Sequence, residues 1–337
     1  MRRTGDRSAL PGKPISYEVV SLRGRGDSWE KVRLRRAGPA VRSGAVERAA
    51  ARARNVVFLS LRLRAFAVHS HPMKYTYAEL ARMIDHSLLH PTLTDQDLEA
   101  GCRLAAKYGV ASVCIKPYAV KRAVELLRGS GVRVGCVIGF PHGNSGTESK
   151  RYEAELACRD GAVEIDMVIN IGKALSGDWA YVERDIRAVG DEAHRNGAKV
   201  KVIFENDYLA NGGAGLSSDD FKRQLCQIAE RAGADWVKTS TGYGFVKQKD
   251  GSYNYRGATD ADLKLMRAAC SPKVQIKAAG GVRDLDGLIR VRELGGTRCG
   301  ATATAVILEE YRRREAVEQA GRGPDAQGEG ALDRSGC

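Results

Sequence analysis

The sequence contains no CxxC pair and no close grouping of cysteine with histidine. Its eight cysteines stand singly at 102, 114, 136, 158, 226, 270, 299 and 337. Structural zinc sites need ligands at short, fixed spacing, so a zinc module is excluded. Several of the cysteines lie in apolar runs such as Val113-Cys114-Ile115, which predicts small buried thiols in a reducing cytoplasm. No uninterrupted run of 18 apolar residues occurs, so a membrane-spanning helix is not expected. Residues 55–69 are partly apolar but broken by Arg62 and Arg64, and lack the order of a signal peptide. Acidic charge is scarce in one place only. Residues 1–72 hold 14 Arg and 2 Lys against 5 acidic residues, so that segment carries +11 of the total +13. The remainder is nearly neutral, which argues against a polyanion-binding domain.

Hydrophobic residues make up 43% of the 337, enough for a sizeable core, and the 38 glycines suit many short elements joined by tight turns. Residues 1–72 show no sustained period and read as an Arg-rich extension, disordered or upstream of a true start at Met73. Five acidic residues there disfavour a transit peptide. Residues 321–337 read as a polar, Gly-rich tail.

Between them, residues 73–320 read as one domain in which short apolar runs alternate with helical patterns. The expected strands lie around Ile84, then at 112–115, 133–138, 164–169, 199–204, 236–239, 275–278 and 298–300. Helical patterns separate them, as in 95–108, where Leu98, Cys102 and Ala105 share one face. Glycines 109, 161, 197 and 233 mark helix ends. Eight such units predict an α/β fold, a single-domain (β/α)8 TIM barrel. The rival open sheet is disfavoured, since no GxGxxG follows the first strand.

In such barrels, reactive groups gather at the C-terminal strand ends. Those ends carry Asp166, Lys201, Lys238 and Lys277. A lysine in an apolar strand either points under the helices, where charge is costly, or inward. In 199–205, Val200, Val202 and Phe204 suit helix packing, so Lys199, Lys201, Ile203 and Glu205 should face in. Lys238 and Lys277, on adjacent strands, should repel one another, leaving one as a neutral amine able to form a Schiff base. Asp166 could then shuttle protons. Gly280-Gly281-Val282-Arg283-Asp284 and Gly300-Ala301-Thr302 follow strands seven and eight, the usual phosphate site of this architecture. Thr239 and Gly242 lie in the neighbouring loop. Asp85-His86-Ser87 either touches substrate or braces the lysines. Arg283 either contacts phosphate or pairs with Asp284 or Asp286. His142 reads as a wall or capping residue, and the loop 207–218, with three glycines, as a partial cover for the site. Too few plausible ligands exist for a catalytic metal.

Taken in order, Ile84-Asp85-His86-Ser87-Leu88-Leu89, Ser112-Val113-Cys114, Gly139-Phe140-Pro141-His142-Gly143, Glu164-Ile165-Asp166-Met167-Val168-Ile169-Asn170, Lys201-Val202-Ile203-Phe204-Glu205, Lys238-Thr239-Ser240-Thr241-Gly242 and Lys277-Ala278-Ala279-Gly280-Gly281 resemble the deoxyribose-phosphate aldolase family over residues 84–305. The resemblance implies a class I aldolase that cleaves 2-deoxyribose 5-phosphate to glyceraldehyde 3-phosphate and acetaldehyde. It implies Lys238 as Schiff-base lysine, Lys277 as the lysine that perturbs it, and Asp166 with Lys201 in a proton relay. Substrate and its phosphate would be held by Gly242, Gly280, Gly281, Gly300, Thr302, Thr239 and Asp85. It further implies no cofactor, no metal, a small phosphorylated sugar as partner, no nucleic acid and no membrane, and a homo-oligomer, dimer or tetramer. Ser87, His90 and Lys116 depart from the family pattern, as do Thr302 and Thr304 after strand eight and an expanded, hairpin-like stretch between Tyr243 and Arg256. These departures favour, as the second reading, a related aldolase acting on another sugar or aldehyde.

Overall fold

The computed structural model describes residues 73–321 and an antiparallel strand pair, Tyr17–Glu18 with Arg35–Arg36. The remainder of the Arg-rich extension and the tail from 322 onward lie outside the described residues.

Eight parallel strands close into a barrel. They are β1 (Ile84–Leu88), β2 (Ser112–Ile115), β3 (Arg133–Ile138), β4 (Glu164–Val168), β5 (Lys199–Ile203), β6 (Trp236–Lys238), β7 (Gln275–Ala279) and β8 (Gly296–Ala301). Each pairs with its sequence neighbours and β8 returns to β1. Helices such as Asp95–Tyr108 and Trp179–Arg195 connect them. The first of these starts at a Thr94/Asp97 capping box and stops at Gly109, whose φ of 63° only glycine adopts at no cost. Leu98, Cys102 and Ala105 are buried on its inner face, as the helical spacing predicts. The expected eighth strand, 298–300, begins two residues earlier, at Gly296.

Strand alternation sorts the barrel into two environments. Ile84, Val113, Ile165, Met167, Val200, Val202, Val237, Ile276 and Cys299 point outward into the apolar layer under the helices. The opposite parity carries Asp85, Ser112, Glu164, Asp166, Lys201, Lys238, Lys277 and Arg298, all buried. The barrel interior is thus filled by charge at mid-height, where aliphatic side chains are commonest in this fold. Lys199 has the inward parity but lies at the open N-terminal end of β5, exposed and paired with Asp235 at 2.8 Å.

Candidate active site

Strand register builds the charged centre. Lys238 lies beside Lys277 in the β6–β7 ladder, and Asp166 beside Lys201 in β4–β5. Both lysine ammonium groups of β6 and β7 converge on one oxygen. Lys238 Nζ lies 2.7 Å from Asp166 Oδ2, and Lys277 Nζ 2.5 Å from it. Lys201 Nζ takes the other oxygen, Asp166 Oδ1, at 3.0 Å. A deeper tier holds these groups. Asp85 Oδ2 forms ion pairs with Lys277 Nζ at 2.6 Å and Lys201 Nζ at 3.2 Å, while Lys201 also bonds Glu164. Arg298 closes the tier, contacting Glu164 Oε2 at 2.7 Å, Ser112 Oγ at 3.0 Å, and Asp85.

This network holds four basic groups (Lys201, Lys238, Lys277, Arg298) and three carboxylates (Asp85, Glu164, Asp166). Buried charge is tolerated where it is balanced. Balance is reached when one base is neutral. Burial depresses the ammonium form of Lys238; Asp166 opposes this, and the Lys277 cation adds to it. Lys277 and Lys201 are buried too, but Asp166 and Asp85 together outweigh burial and hold both above the usual lysine range. Asp166 is kept ionised against its own burial by Lys201, Lys238 and Lys277. Of the three lysines, Lys238 is therefore the one whose proton is most easily lost, with one correction to the expectation from sequence. Desolvation is the largest cause, and repulsion from Lys277 is secondary.

Above the network opens a cavity of about 350 Å³. Lys238 and Lys277 reach its floor, and Gly242, Gly280, Gly281, Gly300 and Thr302 line its side. Gly280 has φ 86°, and a Cβ there would come 2.9 Å from Gly257 Cα, so glycine is needed for both the turn and the close approach.

The other expected site residues fall elsewhere. Asp85 and Lys201 are buried beneath the cavity, and Asp85 braces the lysines; it is not part of the cavity lining. Thr239 Oγ1 bridges strands, donating to Ala279 O at 3.1 Å and accepting from Ala279 N at 3.0 Å. It too stays out of the lining because its hydroxyl is already committed between β6 and β7. The loop 207–218 packs toward Leu175 and Phe221 and contributes nothing to the lining; Tyr243, Phe245 and Tyr255 do so instead. They flank a two-stranded hairpin, Val246–Lys247 with Tyr253–Asn254. Lys116 is drawn away from the cavity, donating to the carbonyls of His90 and Leu93 at 3.2 and 3.1 Å.

Sequence reasoning missed Glu164 and Arg298. The parity test applied to Lys201 would have found both, since each stands two residues from an inward position, Asp166 and Gly300. Cys114, expected as a buried thiol, is buried, and its Sγ lies 3.8 Å from Asp166 Oδ2 at the cavity wall. All cysteines among the described residues are unpaired. No cluster of three His, Cys, Asp or Glu side chains among those residues is arranged to hold a metal ion. Among them, too, no helix is long and apolar enough to cross a membrane.

Comparison with known proteins converges. Residues 80–302 match the DeoC/LacD family aldolases. The chain is 50% identical over 240 residues to a deoxyribose-phosphate aldolase of Rhodopirellula baltica, spanning 71% of this chain and 92% of that one. It is 44% identical over 231 residues to one from Aciduliprofundum boonei, spanning 68% and 96%. A solved structure of deoxyribose phosphate aldolase from Aeropyrum pernix, tetrameric, superposes with a TM-score of 0.60 at 29% identity, covering 70% of this chain and 92% of that one.

Proposed function

The chain belongs to the DeoC/LacD aldolase family and is a lyase acting on a small phosphosugar, and from that premise we propose that its substrate is 2-deoxy-D-ribose 5-phosphate, cleaved through a Schiff base on Lys238. The observation that carries this reading is the shared oxygen: Lys238 and Lys277 both bond Asp166 Oδ2 at the cavity floor. Burial and the neighbouring Lys277 cation ease the loss of the Lys238 proton there, beside a fixed carboxylate.

The steps follow from that arrangement. Lys238 Nζ attacks C1 of the open-chain aldehyde. Asp166, ionised at rest between Lys238 and Lys277, takes a proton from the Lys238 nitrogen as it adds and relays it to the carbinolamine oxygen, which leaves as water with a second proton from solvent. The resulting iminium withdraws the electron pair of the C2–C3 bond. As that bond breaks, the C3 hydroxyl gives its proton, through water, to Asp166 and C3 becomes the carbonyl of glyceraldehyde 3-phosphate. Asp166 returns that proton to C2 of the acetaldehyde enamine left on Lys238, and water hydrolyses the resulting iminium. Lys277 stays protonated through the cycle and stabilises negative charge that develops near Asp166. Gly280, Gly281 and Gly300, with Thr302, are suited to receive the phosphate through close backbone approach.

Borohydride reduction in the presence of substrate tests the assignment. A stable adduct should map to the peptide carrying Lys238 and be absent from Lys238→Ala. Trapping at another lysine would overturn the division of roles between Lys238 and Lys277. A panel of sugar phosphates addresses the second reading, motivated by Thr302 and Thr304 after β8. A preference of about tenfold or more for another sugar, roughly 1.4 kcal/mol of transition-state discrimination, would displace deoxyribose 5-phosphate as the substrate.

A further inference from the structure

Glu205 sits one turn beyond β5 with φ 58° and ψ 62°, a left-handed conformation that a residue with a long side chain adopts at a cost of order 1 kcal/mol or more. Glycine would relieve that cost, so holding glutamate there calls for a task at its side chain. The carboxylate is buried, and its two oxygens each accept the Thr241 backbone N–H at 3.2 Å, while the Thr241 hydroxyl donates to Oε2. Thr241 Oγ1 in turn accepts the Tyr243 N–H at 2.9 Å. Gly244 closes over the carboxylate; a Cβ there would lie 2.5 Å from Glu205 Cδ.

The same short turn holds the rest of the β6–β7 connection. Tyr208 Oη donates to Phe245 O at 3.4 Å. Asp207 accepts the Arg256 and Gly257 N–H groups at 2.6 and 3.0 Å. The connection that bears Thr241, Gly242, Tyr243 and Tyr255 on the cavity wall is therefore hung at its start, middle and end from residues 205–208.

We propose that Glu205 is a positioning residue for the substrate: through Thr241 it sets the cavity wall formed by the segment 241–244, and so controls how the phosphosugar is held. The inference rests on the aldolase reading of the site. Lys238 itself is fixed by the β6–β7 ladder, so Glu205 acts on binding of the sugar phosphate and leaves imine formation alone. The grip has a pH range. Burial pushes the Glu205 carboxyl up to about 7, against the hydrogen bonds from Thr241; Asp207 adds to the rise, and Lys238 opposes it when protonated. The ionisable groups facing it are Lys238 from β6 and Asp207 and Tyr208 from its own turn. Ionised, the carboxylate accepts all three Thr241 bonds. Protonated, it competes for the Thr241 hydroxyl as a donor.

The test compares wild type with Glu205→Gln and, because that amide could be poorly tolerated, with Gly244→Ala, whose methyl group would displace the carboxylate. Thermal melting establishes that each is folded. At pH 8, KM for deoxyribose 5-phosphate should rise about tenfold in both, with kcat within about threefold. Borohydride trapping of acetaldehyde, which has no phosphate, should proceed at the wild-type rate. Between pH 6 and 8 the ratio of variant to wild-type KM should shrink as pH falls, since wild type loses its ionised Glu205 while the substrate phosphate titrates alike in both. A wild-type KM at pH 8 in folded variants, a constant ratio across pH, or an equal loss of acetaldehyde trapping would each overturn the inference. Wild-type inertness toward deoxyribose 5-phosphate would instead overturn the substrate reading and take this inference with it.

Discussion

Lys201 and Lys238 differ by one step of charge accounting, and that predicts opposite responses to the same substitution. With Lys238 neutral, three cations face three carboxylates inside the barrel. On that premise Lys238→Met removes an uncharged group, so the remaining network stays balanced and the melting temperature should hold or rise while activity disappears. Lys201→Met removes a cation that touches Asp85, Glu164 and Asp166 together. A buried ion network that loses one partner typically costs about 3–5 kcal/mol. Arg133 also reaches Glu164, at 3.0 Å, but its half-exposed side chain is screened by solvent and cannot replace the loss. Urea unfolding of the two variants side by side decides the matter. Equal destabilisation would mean that Lys238 is charged in the resting protein, contrary to a balanced network.

At the scale of elements, the turns after β7 and β8 should show graded sensitivity. Gly280 and Gly281 both have positive φ, 86° and 89°. A Cβ at Gly280 would press on Gly257 at 2.9 Å, backbone against backbone, whereas at Gly281 the nearest atom is Arg256 O at 3.6 Å. Gly280→Ala should therefore raise KM for the sugar phosphate more than Gly281→Ala. The latter carries only the conformational cost, of order 1 kcal/mol, or several-fold in affinity. Steady-state kinetics on both, with acetaldehyde trapping as the control for the nucleophile, would show the order; a reversed order would mean that the Gly280 turn does not hold substrate. The same scale explains what could be read from the sequence. Period-two alternation in β5 was enough to send Lys201 inward and Val200, Val202 and Phe204 outward, because one strand has only two faces. Depth was not legible. Whether Asp85 reaches the cavity or lies beneath it depends on the stagger of eight strands around the barrel, which no single strand records. Arg298 escaped notice because a strand taken to start there makes it a flanking residue; starting at Gly296, it is interior. Glu205 was read only as an inward residue of the strand, because nothing in a glutamate side chain announces a left-handed backbone. The hairpin between Tyr243 and Arg256 was visible as extra length, but its aromatic contribution to the cavity came from contacts made only in the folded chain.

For the whole molecule, charge and chemistry are separated along the chain. Among the described residues, every barrel strand and every residue lining the cavity falls within 73–321, and residues 1–72 carry +11 of the net +13. The charged network is deep inside the barrel, with its basic groups and carboxylates paired to one another. Solvent-exposed positive charge is screened by salt and has little leverage on buried groups that already sit among their own counter-charges. A chain beginning at Met73 should therefore keep kcat/KM for deoxyribose 5-phosphate within about twofold of the full chain. It should also elute from heparin at much lower salt, because the polyanion contact is a counterion-release effect carried by the arginines of the leading segment. The two readouts separate the two kinds of interaction. If the shortened chain kept its heparin affinity, basic groups on the barrel would be responsible. If instead it lost activity, the leading segment would contribute to the active site, and the barrel would not be sufficient for the chemistry assigned to it.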